Sequence, residues 1–88
     1  MKRTTMYAII EQGVADNAFN SVGCAGYSPI KDVLVECSKN IANEYAKTMK
    51  KGDLEDKIKY DVTSHGDFVT VTVNGYNNRR WTVVEINP

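Results

Sequence analysis

Between Ser28 and Gly52 the chain carries one unbroken helical pattern, SPIKDVLVECSKNIANEYAKTMKKG, and any fold must supply a surface for its apolar side. Ser28 reads as an N-cap and Pro29 as the first helical residue, where the missing N–H costs nothing. Asp32 lies early and Lys47, Lys50 and Lys51 lie late, so the charges complement the helix dipole. Gly52 suits the left-handed conformation that closes many helices. At about 100° per residue, Ile30, Val33, Leu34, Cys37, Ile41 and Tyr45 fall on one stripe, flanked by Ala42 and Met49. Asp32, Glu36, Lys39, Asn43, Lys47 and Lys50 fall opposite. The helix is placed at 29–51.

The segments around it read as strands. Residues 4–11, TTMYAIIE, are β-branched and aromatic, with Met6, Ala8 and Ile10 on one face and Tyr7 and Ile9 on the other. Apolar groups on both faces suit a central strand. Residues 12–27, QGVADNAFNSVGCAGY, are rich in Gly, Asn and Ser and are expected to form a long loop tacked down by Val14, Phe19, Val22 and Tyr27. After the helix comes a charged joint, DLEDK, and then three alternating runs at 57–64, 68–74 and 79–87. His65-Gly66-Asp67 turns the first into the second, and Asn74-Gly75 opens the way to the third. The expected fold is a two-layer α+β sandwich of order β-α-β-β-β, one amphipathic helix on a mainly antiparallel four-stranded sheet. Eighty-eight residues make a single domain.

Eleven basic and eleven acidic residues cancel, which argues against a generic nucleic-acid binder and an acidic nucleic-acid mimic. No run approaches the roughly 18–20 apolar residues of a membrane span, and the apolar stretch Met6–Ile10 is too short for a signal peptide. The expected compartment is the cytoplasm, where Cys24 and Cys37 remain free thiols.

Chemical signatures are thin. Cys24, in Gly23-Cys24-Ala25-Gly26 ahead of the helix, is a candidate nucleophile with His65 as base, or a small residue in a tight turn. The same glycines outline a phosphate cradle with Lys31 as the nearby cation, but lack a P-loop's Gly-Lys-Ser/Thr and the third glycine of a dinucleotide fingerprint. Two cysteines and one histidine do not make a zinc site, and Asp53, Glu55 and Asp56 lack the calcium-loop pattern. No catalytic, cofactor or metal site is expected.

Binding is the class that remains. Tyr76, Asn77, Asn78, Arg79, Arg80 and Trp81 gather hot-spot residue types at one hairpin, and Phe19 and Tyr27 add aromatics from the 12–27 stretch. Tyr7 and Phe68 are further exposed aromatic candidates. The expectation is a non-enzymatic module that occupies the surface of a host protein or protein complex. Small inhibitors that phages and mobile elements direct at host machinery, anti-CRISPR proteins among them, are alike in size and style. The alternative is a nucleic-acid-binding module using an exposed sheet face with Lys57, Lys59, Thr70, Thr72 and either Arg80 or an aromatic. Pairing of a free sheet edge into a homodimer is a further expectation, with Lys57 and Lys59 guarding one edge.

Overall fold

The computed structural model describes residues 5–52 and 57–86. In chain order its elements are β1 (Met6–Ala15), β2 (Ala18–Ser28), α1 (Lys31–Lys51), β3 (Tyr60–Ser64), β4 (Phe68–Val73) and β5 (Tyr76–Ile86). The five strands form one sheet in the order β2-β1-β5-β4-β3, every neighbouring pair antiparallel. Helix α1 packs on one face. The α+β class therefore holds, but the sheet has five strands rather than four and the order is β-β-α-β-β-β.

The extra strand lies where a loop over 12–27 was expected. Asp16 and Asn17 take positive φ, 53° and 64°, the conformation of the tight hairpin turn that matches strand twist. Ala15 pairs with Ala18 across it. Asn20 Nδ2 donates to the carbonyls of Ala15 at 3.3 Å and Ala18 at 3.1 Å, sealing the turn. β2 is an edge strand exposed along most of its length, so it needs no apolar alternation. That is why its period is silent in the sequence.

The helix boundaries shift as well. Ile30 is extended, with φ −111° and ψ 108°, and occupies the N-cap position without a side-chain cap. Ser28 ends β2 instead of capping the helix, and its Oγ accepts a hydrogen bond from the Ile30 N–H at 3.0 Å, a local turn that passes strand into helix. Gly52 closes the helix in a right-handed conformation, φ −80° and ψ −10°, rather than a left-handed one.

The buried line of α1 is Leu34, Ser38, Ala42 and Ala46. Cys37, Ile41, Tyr45 and Val35 flank it, half-buried. Ile30, Val33 and Met49, expected in or beside the stripe, are exposed. Small residues at every fourth position let the helix axis sit low over a sheet whose inner face carries a tryptophan. Ser38 is buried with its hydroxyl satisfied, the Oγ donating to the Leu34 carbonyl at 2.9 Å. From the sheet, Ile9, Val69, Val71, Trp81 and Val83 complete the core.

The strand expected at 57–64 begins at Tyr60, and the one expected at 79–87 begins at Tyr76. Asn74 and Gly75 make that turn by themselves, with φ 52° and 85°. Asn74 also clamps the approach to β3: its N–H donates to the Lys59 carbonyl at 2.8 Å, and its Oδ1 accepts from the Lys59 N–H at 2.9 Å. The surplus asparagines serve a register shift opposite Val71 and Thr72, which pair with Arg79 and Asn77 and leave Asn78 between them. The joint residues Asp53, Leu54, Glu55 and Asp56 lie outside the described residues.

Candidate functional site

β5 distributes the expected hot-spot residues over two faces. Alternation sends Arg79 and Trp81 toward the helix and Arg80 and Thr82 to the face with no helix on it. On the helix side Trp81 is 1 % exposed and meets the Tyr45 ring edge-on at 5.3 Å. Arg79 pairs with Glu11 at 3.3 Å and lies 5.3 Å from the Tyr45 ring. The Tyr45 hydroxyl donates to Asn78 Oδ1 at 2.6 Å. The three contacts made by Tyr45 bind the helix to the end of the sheet, and the Arg79–Glu11 pair ties β5 to β1 beside them. Trp81 is therefore core and offers nothing to a partner, while Arg79 and Asn78 are committed to the fold.

The open face is where the remaining candidates gather. Arg80 stacks on Phe19 of β2 at 4.2 Å and approaches Phe68 of β4 at 5.5 Å. Its Nε donates to Gln12 Oε1 at 2.8 Å, and Thr82 Oγ1 donates to the same oxygen at 2.8 Å. His65 extends the group, stacked on Phe68 at 4.8 Å with the rings 21° apart. Phe19, Arg80, Phe68 and His65 thus form a row across the sheet, held below by Gln12. An arginine fixed by one side-chain bond and an aromatic face loses little further freedom on meeting a partner. Thr70, opposite Arg80 in the strand pairing, is 7 % exposed.

Phe19 and Arg80 come together, then, and Tyr27, Tyr76 and Asn77 stand apart. Tyr76 is 80 % exposed at the β4–β5 turn, with Asn77 exposed beside it. Tyr27 is 67 % exposed on β2. A hydrogen bond with Cys24, and that thiol's charge when ionised, hold the Tyr27 phenol above its ordinary value. Tyr7 packs against the core. Gln12 had no signal in the sequence, because its partners Arg80 and Thr82 lie 68 and 70 residues away.

The catalytic pairing of Cys24 and His65 is not made. Cys24 lies on the edge strand β2, and His65 joins β3 to β4 on the far side of β1 and β5. Three strand spacings, roughly 14 Å, separate β2 from β4. Cys24 and Cys37 are free thiols. Gly23 and Gly26 lie within β2 rather than in a loop before the helix, so the phosphate-cradle outline is not formed. Lys31 is turned to Asp67 at 2.9 Å, and that bond and charge raise its pKa. Among the described residues, no three His, Cys, Asp or Glu side chains converge on a metal-sized site, and no helix is long and apolar enough to cross a membrane.

Comparisons with protein-family models, with curated proteins and with solved structures find no match for this chain.

Proposed function

We propose that this chain is a non-enzymatic, cytoplasmic protein-binding module that works by laying the open face of its sheet on a partner protein. The observation that carries the reading is the Phe19–Arg80–Phe68 row, an arginine held between two aromatics on a sheet face with no helix over it. Such anchors, rigid and partly dehydrated before binding, dominate protein interfaces. The finer form of the proposal is an inhibitor that blocks host machinery on behalf of a phage or mobile element, in the manner of anti-CRISPR proteins. What supports it is build: a small single domain whose most organised surface feature is a binding row rather than a reaction centre.

The alternative is a nucleic-acid-binding module using the same face, since aromatics on an open sheet can stack bases. Charge tells against it. The five strands contain two cations, Arg79 and Arg80, and Arg79 is on the helix side, paired with Glu11. Beside the sheet, Lys59 lies 4.0 Å from Asp61. A backbone-tracking surface needs several phosphate contacts.

The test is capture of a partner by tagged protein from a bacterial lysate, with and without nuclease, repeated with Arg80→Ala and Phe19→Ala. The expected result is a stoichiometric protein band that survives nuclease and falls at least tenfold with either variant, circular dichroism staying unchanged. A band that vanishes with nuclease, and binding that collapses between low and physiological salt, would transfer the face to nucleic acid.

A further inference from the structure

A second surface lies on the opposite side of the molecule, between α1 and the edge strand β2. Helix α1 starts directly after β2 and packs more on β5, β4 and β3 than on β1 and β2, leaving a groove of about 410 Å³ beside β2. Gly26, Ile9 and Leu34 form its floor, with Val33, Cys37 and Ile41 along the helix wall. Val33 is 47 % exposed and Ile30, at the same end, is also exposed. These are the stripe residues that the monomer's core does not take up.

The strand beside this groove has an unusual composition for an edge. From Ala18 to Ser28 β2 contains no charged residue and no proline, whereas the other edge strand, β3, is five residues long and carries Asp61. Charge, proline, shortness and bulges are the usual protections of a sheet edge. β2 has only the last. Its register shifts fall between the partners of Ile9 and Ile10 and between those of Glu11 and Gln12. Gly26, Tyr27 and Ser28 pair regularly with Ile9, Ala8 and Tyr7 beyond both shifts, and this regular end is the part of β2 that lines the groove.

We propose that the groove is a strand-addition site: a short, extended, uncharged segment of another protein pairs with the outer edge of β2 at Gly26–Ser28. Main-chain hydrogen bonds to that edge supply affinity, and alternate side chains enter the groove and supply selection. The occupant's chemistry follows from the lining. An ionised side chain would find no counter-charge, because Cys37, Asn40, Ser28 and Tyr27 are the polar members and the rest are apolar or glycine. A helix would leave the open edge unpaired. An extended apolar segment satisfies both. Gly26 makes the approach possible: a Cβ there would lie 3.8 Å from both Ile9 Cδ1 and Leu34 Cδ2, in the space the segment uses.

This inference shares with the proposed function only the class of partner, and it uses a different surface. The experiment is selection from a displayed library of random hexapeptides, with binding of the enriched synthetic peptides then followed by amide and methyl chemical shifts of the isotope-labelled chain. The expected peptides are uncharged with alternating β-branched or aromatic residues, and they shift residues 25–28 together with Val33, Cys37 and Ile41. Gly26→Ala, whose added methyl meets only ordinary contacts, and Val33→Lys should each weaken binding at least tenfold while the spectrum stays folded. N-methylation of alternate peptide amides should do the same. Enrichment of charged sequences, shifts centred on β3 or on Phe19 and Phe68, or indifference to N-methylation would overturn the proposal. Arg80→Ala leaves the groove intact, so peptide binding that survives it while lysate capture is lost separates the two surfaces.

Discussion

Ala42 and Ser38 show how little room the residue scale leaves. Ala42 is fully buried and Ser38 nearly so, on the helix line packed against the sheet core. An added side chain there has to push the helix off the sheet. Ala42→Leu is expected to destabilise by about 1–3 kcal/mol, read as a lower urea midpoint with unchanged slope. Lys31 and Asp67 make a different kind of contact, tying the start of the helix to the β3–β4 turn at 2.9 Å on the surface. Asp67 raises the Lys31 pKa above its ordinary 10.5. A raised lysine contributes stability that is complete below that ordinary value and fades as pH climbs through the raised one. Thermal melts across that alkaline window should fall more steeply for the parent than for Asp67→Asn, with a small difference because the pair is exposed.

At the scale of elements, two glycines with opposite backbone conformations make opposite predictions. Gly75 has φ +85° in the two-residue turn between β4 and β5, so Gly75→Ala should cost about 1–2 kcal/mol although nothing lies within 4 Å of the new methyl. Gly52 is right-handed, and a Cβ there would meet the Met49 carbonyl at 3.5 Å, an ordinary contact. Gly52→Ala should stabilise by roughly 0.5–1 kcal/mol through the unfolded chain. Denaturation midpoints moving in opposite directions would confirm both assignments. Elements with strong local patterns were legible in advance: the helix, the two valine-rich alternations and the Asn-Gly turn. β2 was not, because an exposed edge strand has no buried face to mark with apolar residues, and its turn uses Asp-Asn where Asn-Gly is the stronger signal.

For the whole molecule, the decisive contact is β1 with β5, which joins the two ends of the chain through pairs such as Glu11 with Trp81 and Gly13 with Arg79. Closing that pairing costs the loop-closure entropy of a long intervening segment, and strand topologies rich in such non-local contacts fold in milliseconds to seconds. Trp81 is the only tryptophan and is buried beside Tyr45, so stopped-flow refolding followed by its emission should show a phase in that range. A microsecond phase carrying the full amplitude would contradict the topology.

Local chemistry determined the helix, its dipole-matched charges, the three C-terminal strands and the absence of net charge, because each is written in neighbouring residues or in composition. Tertiary structure alone decided the rest. Helical period left open which part of a broad apolar side is core, and the close approach to the sheet selected Leu34, Ser38, Ala42 and Ala46 over Ile30 and Val33. Strand period left open the face of Trp81, and pairing with Val69 and Glu11 turned it inward. The same alternation split Arg79 from Arg80, putting one in an ion pair beneath the helix and the other between two phenylalanines on the open face. Those partners are distant in sequence, so no local pattern can announce them; only the sheet's register brings them into contact.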